Sequence, residues 1–510
     1  MRVIRKRSTA GFILSAVLAL VVTGAAKAQP YFQHAYGAGL DDAAKGGVLL
    51  TEDGGYIAVG ESDSYSAGGD FDVYVVKTDP CGKLQWAMTY DMSRGFNDFG
   101  RKIRQTRDGY IIVGSMENQK SCCPGQESDI FVMEITRDGG VIWARRYGGY
   151  LDDQGTNIRA YNPDDETHDY VVSGYTMSFG NDGKYDALLM RINSTGDVVW
   201  GRTYGGTEFD AFHSLIPSAD GSGDIVAVGE TQSFGLQNQV FFARVNSNGN
   251  LVCTGHFGGD GNEAAYDVAR FNKDVIGEEV FGIVGYTTQF TGLPTPYLLK
   301  VTGCGKCICD RAYFNKPGEE DDGGTFREAI VVDEKDLVIA GYYKNRNSAY
   351  AGINALLMRV DWDCDRVWSN IYGGDRDDAA WSLDAARNGF ILAGYTFSFG
   401  AGNSDLYQVG TDVNGKTCKS VDQDFVEDKP VFCMYDLKYP TPRWITQCNV
   451  KVEPRRVEGD KEICNDCRFD FEQNGGNERL GQVRRNSEPV VVRAANVEAV
   501  SAPSGPMPQR

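Results

Sequence analysis

Residues 372–416 read YGGDRDDAAWSLDAARNGFILAGYTFSFGAGNSDLYQVGTDVNGK, and this stretch decides the fold. It contains a Gly-Gly turn followed by acidic residues, a short first strand, an apolar strand ending in Gly394, and a second apolar strand after a Gly/Ser-rich loop. A glycine-containing turn then leads to a fourth strand. Because the same unit recurs along most of the chain, the sequence predicts a repeat array rather than one ordinary domain.

Two independent markers count the units. Each unit starts at an aromatic residue followed by a turn, and successive starts are 54, 57, 57, 53, 56 and 59 residues apart: Tyr36, Tyr90, Tyr147, Tyr204, Phe257, Tyr313 and Tyr372. Each unit also has an apolar strand that ends in glycine, at Gly60, Gly114, Gly174, Gly229, Gly285, Gly341 and Gly394. The two markers agree, so we predict seven units.

The central strands of each unit, such as residues 110–114 and 130–135, are apolar at consecutive positions. A half-exposed strand would alternate apolar and polar residues, whereas strands that are apolar on both faces belong in a sheet covered on both sides. Sheets stacked around a ring provide that cover, and units of this length with four short strands are typical of a β-propeller. The sequence therefore predicts an all-β, seven-bladed propeller of four-stranded blades.

Unit seven supplies only three strands of its own. Residues 31–36, YFQHAY, match the fourth strand of other units, such as residues 143–147. We therefore expect the first strand of the mature chain to complete the last blade and to remove an exposed sheet edge. The alternative is that residues 417–421 form this strand and residues 31–36 only flank it.

Composition divides the chain into four segments. Residues 1–28 combine a basic start, an apolar stretch and the small-x-small site AKA at 26–28, which predicts a signal peptide and an exported protein. The propeller occupies residues 29–420. Residues 421–472 contain several prolines and four cysteines, which predicts a small, irregular, Cys-rich appendage. Residues 473–510 are rich in Gly, Asn, Arg, Ser and Pro and predict a flexible tail.

The chain has 510 residues and a formal net charge of -19. Such an acidic surface repels phosphate backbones, so we expect no nucleic-acid partner. No apolar run after residue 28 is long enough to span a bilayer, and we expect no direct membrane insertion.

An acidic residue stands near the start of most units: Asp42, Asp98, Asp153, Asp210, Glu263 and Asp378. In a propeller these turns gather on one face. They could bind a polar ligand or a cation such as calcium there, because hard cations take several carboxylate oxygens. We favour the structural interpretation, in which each acid accepts backbone N–H bonds in its own turn. No segment matches a DxDxDG calcium loop.

Catalytic constellations are sparse in this sequence. The four histidines, His34, His168, His213 and His256, occupy unrelated places in the repeat, and no HExxH, GxSxG or P-loop motif is present. Acidic residues at the mouth of the ring could serve a hydrolase or lyase, but the sequence does not single out a pair. We therefore expect a non-enzymatic protein without a cofactor.

The 13 cysteines of an exported protein predict disulfides first. Ten are the candidates: Cys81, Cys253, Cys304, Cys309, Cys364, Cys418, Cys433, Cys448, Cys464 and Cys467. A bond between Cys81 and Cys418 would staple the closure of the ring. The last four also resemble a four-cysteine zinc site, which export makes the weaker interpretation. Because 13 is odd, one thiol should be free or bonded to another chain.

The patterns YGG-x3-D-A-x-S-L, G-[YF]-I-[LV]-A-G-Y-T-x-S-F-G, D-x-Y and G-x-V-x-W-x-R-x-Y-G-G resemble tandem repeats of secreted bacterial β-propellers of the cell envelope. The likeness spans residues 31 to about 419. The resemblance implies the propeller fold and an extracellular location. Members often carry a C-terminal type IX secretion sorting domain, which residues 422–510 do not resemble. The resemblance implies little about chemistry, because propellers host many functions.

The regular blades, the lack of a catalytic motif and a segment outside the ring favour a protein-binding or scaffold subunit of a bacterial cell-surface assembly. Its expected partners are other envelope or surface proteins, docked through residues 421–510. The alternative is a carbohydrate- or cation-binding surface protein that uses the acidic turns, and an enzyme is the third interpretation.

Overall fold

The structure is a computed structural model that defines residues 31–418, except for 67, 94, 118–127, 163–167, 181–182, 236, 272–276, 315–322 and 345–351, together with the backbone of seven short strands between 421 and 465. All regular elements of this described part are β-strands.

The strands are numbered in chain order, and each blade runs from its innermost strand outwards. The N-terminal strand is β1 (Phe32–Tyr36). Blades 1 to 3 contain β2 (Asp42–Leu50), β3 (Tyr56–Ser62), β4 (Asp72–Thr78), β5 (Leu84–Asp91); β6 (Asp98–Gln105), β7 (Gly109–Met116), β8 (Asp129–Thr136), β9 (Val141–Gly148); β10 (Asp153–Ala160), β11 (Tyr170–Thr176), β12 (Asp186–Ile192) and β13 (Val198–Tyr204). Blades 4 and 5 contain β14 (Asp210–Pro217), β15 (Ile225–Thr231), β16 (Gln239–Val245), β17 (Leu251–Phe257); β18 (Glu263–Phe271), β19 (Val280–Thr287), β20 (Thr295–Thr302) and β21 (Cys307–Phe314). Blades 6 and 7 contain β22 (Gly324–Val332), β23 (Asp336–Lys344), β24 (Ile353–Val360), β25 (Arg366–Tyr372); β26 (Asp378–Ala386), β27 (Gly389–Thr396) and β28 (Asp405–Asp412).

Seven antiparallel sheets confirm the predicted β-propeller. The second and third strands of the blades are buried on both faces, as β3 and β4 illustrate. The core lies between neighbouring blades: one cluster joins Val75 of blade 1 to Ile112 and Phe131 of blade 2. The consecutive apolar positions of the sequence therefore reflect packing on two neighbours at once.

The predicted closure by the N-terminal strand is also confirmed. Strand β1 pairs with β28 of blade 7, so that Phe32 lies opposite Gly410 and Tyr36 lies opposite Leu406. Blade 7 is thus completed by the beginning of the chain, and the ring has no free seam between its first and last blades.

The segment after the ring behaves differently from the separate appendage that we expected. It contributes a fifth, outermost strand to every blade, and these seven strands, here called the belt, run around the ring in reverse order. They are β29 (Val421–Asp422) on blade 6, β30 (Val426–Asp428) on blade 5, β31 (Tyr435–Asp436) on blade 4, β32 (Pro440–Thr441) on blade 3, β33 (Thr446–Asn449) on blade 2, β34 (Glu453–Val457) on blade 1 and β35 (Lys461–Asn465) on blade 7. The outer strand of each blade is an edge with unpaired backbone groups, and a segment too short for its own core gains hydrogen bonds by adding to it.

The belt returns to the place where the ring closes. Strand β35 pairs with β1, with Gln33 opposite Cys464, so the N-terminal strand lies between β28 and the last belt strand. Cys448 lies on blade 2 and Cys464 on blade 7, so their backbones are separated by blade 1.

The aromatic residues that mark the repeat tie neighbouring blades together. Each tyrosine is buried and lies at the end of the fourth strand of its blade or one residue before it. Its hydroxyl donates to a carbonyl in the turn before the fourth strand of the next blade. The hydroxyl to carbonyl distance is 2.8 Å from Tyr90 to Gly139, 2.6 Å from Tyr147 to Gly196 and 2.7 Å from Tyr204 to Gly249. Tyr36 makes the same bond to Gly82, across the closure of the ring.

Disulfides reinforce the junctions of blades 4 to 6. Cys253 of β17 is bonded to Cys304 of the next blade's turn, and Cys309 of β21 is bonded to Cys364. The first bond lies where Phe257 replaces the tyrosine and no hydroxyl is available. Cys81 and Cys418 are each in a disulfide, and their pairing with each other stays a prediction.

Several predictions fall outside the described residues. They are the signal peptide at 1–28, the flexible tail at 473–510, and the disulfides of Cys433 and Cys467. In the part that is described, no helix has the length and apolar character needed to cross a bilayer.

Candidate functional site

The six acidic residues at the unit starts lie at the first position of the innermost strands, and all six are fully buried. Asp153 accepts bonds from the Ser178 hydroxyl at 2.7 Å and the Gly149 N–H at 2.9 Å, and also from the Thr176 hydroxyl. The donors come from the YGG turn and the Y-T-x-S motif, so these motifs and the acid form one local hydrogen-bond unit. The arrangement matches the structural interpretation that we favoured.

The same unit recurs around the ring. Asp210 accepts from Thr231, Ser233 and the Gly206 N–H; Asp378 from Thr396, Ser398 and the Gly374 N–H; Glu263 from Thr287 and the Gly259 N–H; Asp42 from Ser64 and the Ala38 N–H; and Asp98 from Ser93 and the Met92 N–H. Burial raises the pKa of all six carboxyl groups above the usual range, to about 6 for Asp153, against the opposing effect of the hydrogen bonds. These acids hold turns in place and do not form an open face.

One acidic group in the described residues has the spacing of a cation site. Carboxylate oxygens of Asp72, Asp91 and Asp98 lie within 4.8 Å of one another at the junction of blades 1 and 2. Asp98 is already held by its own turn through Ser93 and Met92. Acidic side chains alone do not identify a bound ion, so calcium binding stays the alternative that the sequence left open.

Every blade carries a β-bulge at the same place on its innermost strand. The pairing register shifts there in all seven blades, for example between Gly100 and Lys102, which leaves Arg101 unpaired in the ladder. The side chains at this place form what we call the bulge ring: Lys45, Arg101, Thr156, His213, Tyr266, Arg327 and Trp381. All seven are partly exposed. Bulges redirect side chains and are common beside functional sites.

The bulge residues of blades 4 to 7 form a continuous aromatic and cationic arc. The Arg327 guanidinium lies between two rings, 4.0 Å from the centroid of Tyr266 and 3.9 Å from that of Trp381. The rings of Tyr266 and His213 are 5.3 Å apart. His213 Nε2 lies 2.8 Å from a carboxylate oxygen of Glu230, which comes from the neighbouring strand of blade 4. The arc is therefore held in a fixed arrangement by contacts between adjacent blades.

The remaining bulge residues complete the circle with polar groups. Lys45 Nζ lies 2.7 Å from Glu61, and Arg101 lies 3.3 Å from the same carboxylate. The Thr156 hydroxyl donates to the Phe212 carbonyl at 2.8 Å. The ring thus has three fixed cations and two neighbouring carboxylates, Glu61 and Glu230, in a protein whose net charge is -19.

The residue after each bulge closes the channel beneath the ring. These residues are buried and polar in six blades: Lys102, Asn157, Ser214, Asp267, Glu328 and Ser382. Ser214 accepts a bond from the Asn157 amide at 3.0 Å and donates to Asp267 at 2.6 Å. Lys102 reaches across the axis to Glu328, with Nζ and Oε1 2.6 Å apart. This polar layer gives the bulge ring a fixed floor.

Sequence reasoning missed the bulge ring and selected the acidic turns instead. The sequence does contain a usable pattern: the residue three positions after the acid is Lys45, Arg101, Thr156, His213, Tyr266 or Trp381. The acid itself recurs in six units, and hydroxyl residues occupy both positions of the Thr/Ser pair in units one, three, four and seven. A position whose residue type changes from unit to unit is not needed to hold the turn. Chemical variation at this position therefore identifies the bulge ring in the sequence.

Comparisons with known proteins are limited to the fold. No protein-family model matches the chain, and no curated protein matches its sequence. Similar solved structures include Sqt1 from Chaetomium thermophilum, with 9% identity and a TM-score of 0.41 over 72% of this chain and 82% of that chain. The WD40 domain of Pan2 from Neurospora crassa has 9% identity and a TM-score of 0.34 over 62% of this chain and 90% of that chain. The fold assignment rests on the strand pairing described above.

Proposed function

We propose that the chain is a non-enzymatic binding propeller, exported to a bacterial cell envelope, and that it acts there as a scaffold subunit which holds a protein partner on the bulge ring. The bulge ring carries this proposal. It presents seven side chains of six residue types on a closed frame, whereas the buried acid at the start of the innermost strand recurs in six of the seven units. Export rests on the sequence of residues 1–28.

The composition of the ring suits a protein partner. Arg, Trp and Tyr are the residue types that most often dominate binding energy at protein interfaces. Arg327 and Trp381 supply them side by side, already ordered by stacking, so that little side-chain entropy is lost on binding. The partner site is thus proposed to be the ring, and not the segment 421–510 that we first expected to dock, because the described part of that segment pairs with the blades.

The other two interpretations gain less support. The six acidic turns are buried and bonded within their blades, so they favour neither a glycan nor a cation at that place. An acid pair for a hydrolase or lyase would have to come from Glu61 and Glu230, which belong to different blades. Glu61 is paired with Lys45, and Glu230 lies against His213.

Affinity purification from the native envelope tests the proposal. The full chain is compared with Arg327→Ala/Trp381→Ala, and Val413→Ser, an exposed change on the opposite face, is the matched control. We expect a stoichiometric protein partner with the full chain and the control, and its loss with the ring variant. The proposal is wrong if no protein is retained, or if the ring variant retains the same partner while keeping its thermal transition.

A further inference from the structure

A cleft of about 550 Å³ opens between blades 1 and 2 on the face opposite the bulge ring. Its walls come from the ends of the innermost strands and from the turns before the fourth strands, and they include Asp53, Lys77, Gln85, Trp86, Gln105 and Arg137. The volume lies within the range of about 300–1,000 Å³ that is usual for small-molecule sites.

The floor of the cleft is ordered by one buried lysine. Lys77 is 3% exposed, and its ammonium donates to Asp53 at 2.9 Å, Gln85 at 2.9 Å and the Thr78 carbonyl at 3.0 Å. These bonds use all three ammonium hydrogens and fix two of the side chains that line the cleft. The polar wall is therefore preorganised.

Polar groups along this wall keep unused bonding capacity. Gln85 gives its oxygen to Lys77 and keeps its amide hydrogens. Gln105 donates both amide hydrogens to backbone carbonyls, at 3.1 and 2.8 Å, and its buried Oε1 accepts no bond from any described residue. Because Gln105 Oε1 is buried, the groups that the wall exposes are the Gln85 amide, a donor, and the Asp53 carboxylate, an acceptor.

Trp86 supplies an apolar wall. At the equivalent position of blade 2 the Trp143 indole N–H donates to Glu134 at 2.7 Å, and that of Trp200 in blade 3 donates to the Ser247 carbonyl at 2.9 Å. The partly exposed Trp86 makes no such bond within the described residues. Its ring and its N–H both remain available to a bound molecule.

The junction of blades 1 and 2 differs from the junction of blades 5 and 6 at one turn position, and this difference leaves the cleft open. There Trp362 covers the buried lysine, with its ring centroid 3.8 Å from Lys300 Nζ. Arg137 occupies the corresponding turn position of blade 2, and it lies 2.7 Å from the exposed Glu52. No ring therefore covers Lys77.

We infer that this cleft binds a neutral saccharide, with one sugar ring stacked on Trp86 and its hydroxyls bonded to Gln85 and Asp53. Sugar hydroxyls both donate and accept, as the wall requires. The lining contains three carboxylates and two cations, which disfavours an acidic sugar. The inference does not depend on the proposed protein partner, because the two sites lie on opposite faces.

Titration of ¹⁵N-labelled full chain with the neutral disaccharides maltose, cellobiose, lactose and chitobiose, and with glucuronic acid, tests the inference. We expect at least one neutral disaccharide to shift the Trp86 indole resonance saturably at millimolar concentration. Calorimetry should show affinity reduced at least about tenfold in Gln85→Ala and Trp86→Ala and unchanged in Trp143→Phe. Arg327→Ala/Trp381→Ala should leave this binding intact.

Three outcomes would overturn the inference. They are no saturable shift with any neutral disaccharide, tighter binding of glucuronic acid, or equal affinity in Gln85→Ala. We expect Gln85→Ala to fold, because Gln85 is exposed and Lys77 keeps Asp53 and the Thr78 carbonyl as acceptors. Its thermal transition checks this, and the variant then tests the inference even if Trp86→Ala, which alters a residue packed on the core, does not fold.

Discussion

Lys102 of blade 2 and Glu328 of blade 6 form an ion pair across the axis of the ring, with Nζ and Oε1 2.6 Å apart and side chains 9% and 5% exposed. Burial would raise the pKa of Glu328, but Lys102 and Arg104 hold it below its usual value, so the carboxylate is ionised. Lys102→Met removes the ammonium that is hydrogen-bonded to that buried charge. We expect the free energy of unfolding in urea to fall by about 3–5 kcal/mol.

A double substitution distinguishes the cost of leaving one buried charge unpaired from the cost of removing the whole ion pair. Lys102→Met/Glu328→Leu removes both charges and should recover most of the loss. Arg137→Gln breaks the exposed pair with Glu52 and should cost less than about 1 kcal/mol. If Lys102→Met costs no more than Arg137→Gln, the ion pair does not join the two sides of the ring.

The belt should stabilise the whole ring, because it covers the outer edge of all seven blades. A chain ending at residue 420 exposes the backbone groups of those edges. We expect a lower thermal transition, faster amide exchange in β5 and β9, and self-association in size-exclusion chromatography with light scattering. Blades 1, 2 and 7 carry the longest belt strands and should show the largest change in exchange.

A chain that ends at residue 466 is the matched control, since it keeps all seven belt strands. Its exchange pattern and oligomeric state should equal those of the full chain. Unchanged protection of β5 and β9 in the shorter truncation would show that the belt does not pair with these strands in solution.

The fold could be read from the sequence because its determinants are local and repeated. The strand ending at Gly394, the aromatic at Tyr372 and the acid at Asp378 each recur in nearly the same context. The belt could not be read in this way, because strands such as Val421–Asp422 and Pro440–Thr441 are only two residues long and become strands by pairing with an edge. The bulge ring was missed for a related reason: a bulge is a property of pairing between strands, and chemical motifs do not show it.

The tyrosine at the end of each outer strand should contribute a measurable tie between blades. Tyr204→Phe removes the bond to the Gly249 carbonyl and leaves a buried acceptor without a donor. We expect a loss of about 1–3 kcal/mol in the free energy of unfolding. Tyr150→Phe, at an exposed tyrosine, is the control and should change stability by less than about 0.5 kcal/mol. Equal values for the two variants would argue against the tie.

Asp153 should make stability depend on pH in the direction opposite to most carboxylates. Burial raises its folded pKa to about 6, above the unfolded value of about 3.9. Between these values the folded state holds more protons than the unfolded state, so this group's contribution to stability falls as pH rises from about 4 to about 6. Relative to Asp153→Asn, the natural protein should lose about 1 kcal/mol between pH 5 and pH 7.

The measurement is urea denaturation of both proteins at the two pH values, with the Asp153 carboxyl followed by ¹³C NMR. A titration midpoint near or below 4 would contradict the prediction, because it would mean that the hydrogen bonds to this carboxyl outweigh the effect of burial on its pKa.

The junction of blades 4 and 5 should depend on its disulfide more than a junction with a tyrosine would. Cys253 and Cys304 are 51 residues apart, and closing a loop of that length stabilises the folded state by about 4 kcal/mol in the chain-entropy model. Cys253→Ser/Cys304→Ser should therefore lower the free energy of unfolding by a few kcal/mol. Adding Phe257→Tyr supplies the hydroxyl that other junctions possess and should return about 1 kcal/mol. Peptide mapping of the unreduced protein must first show the Cys253–Cys304 bond. If the tyrosine recovers nothing, the hydroxyl to carbonyl bond is not what joins neighbouring blades.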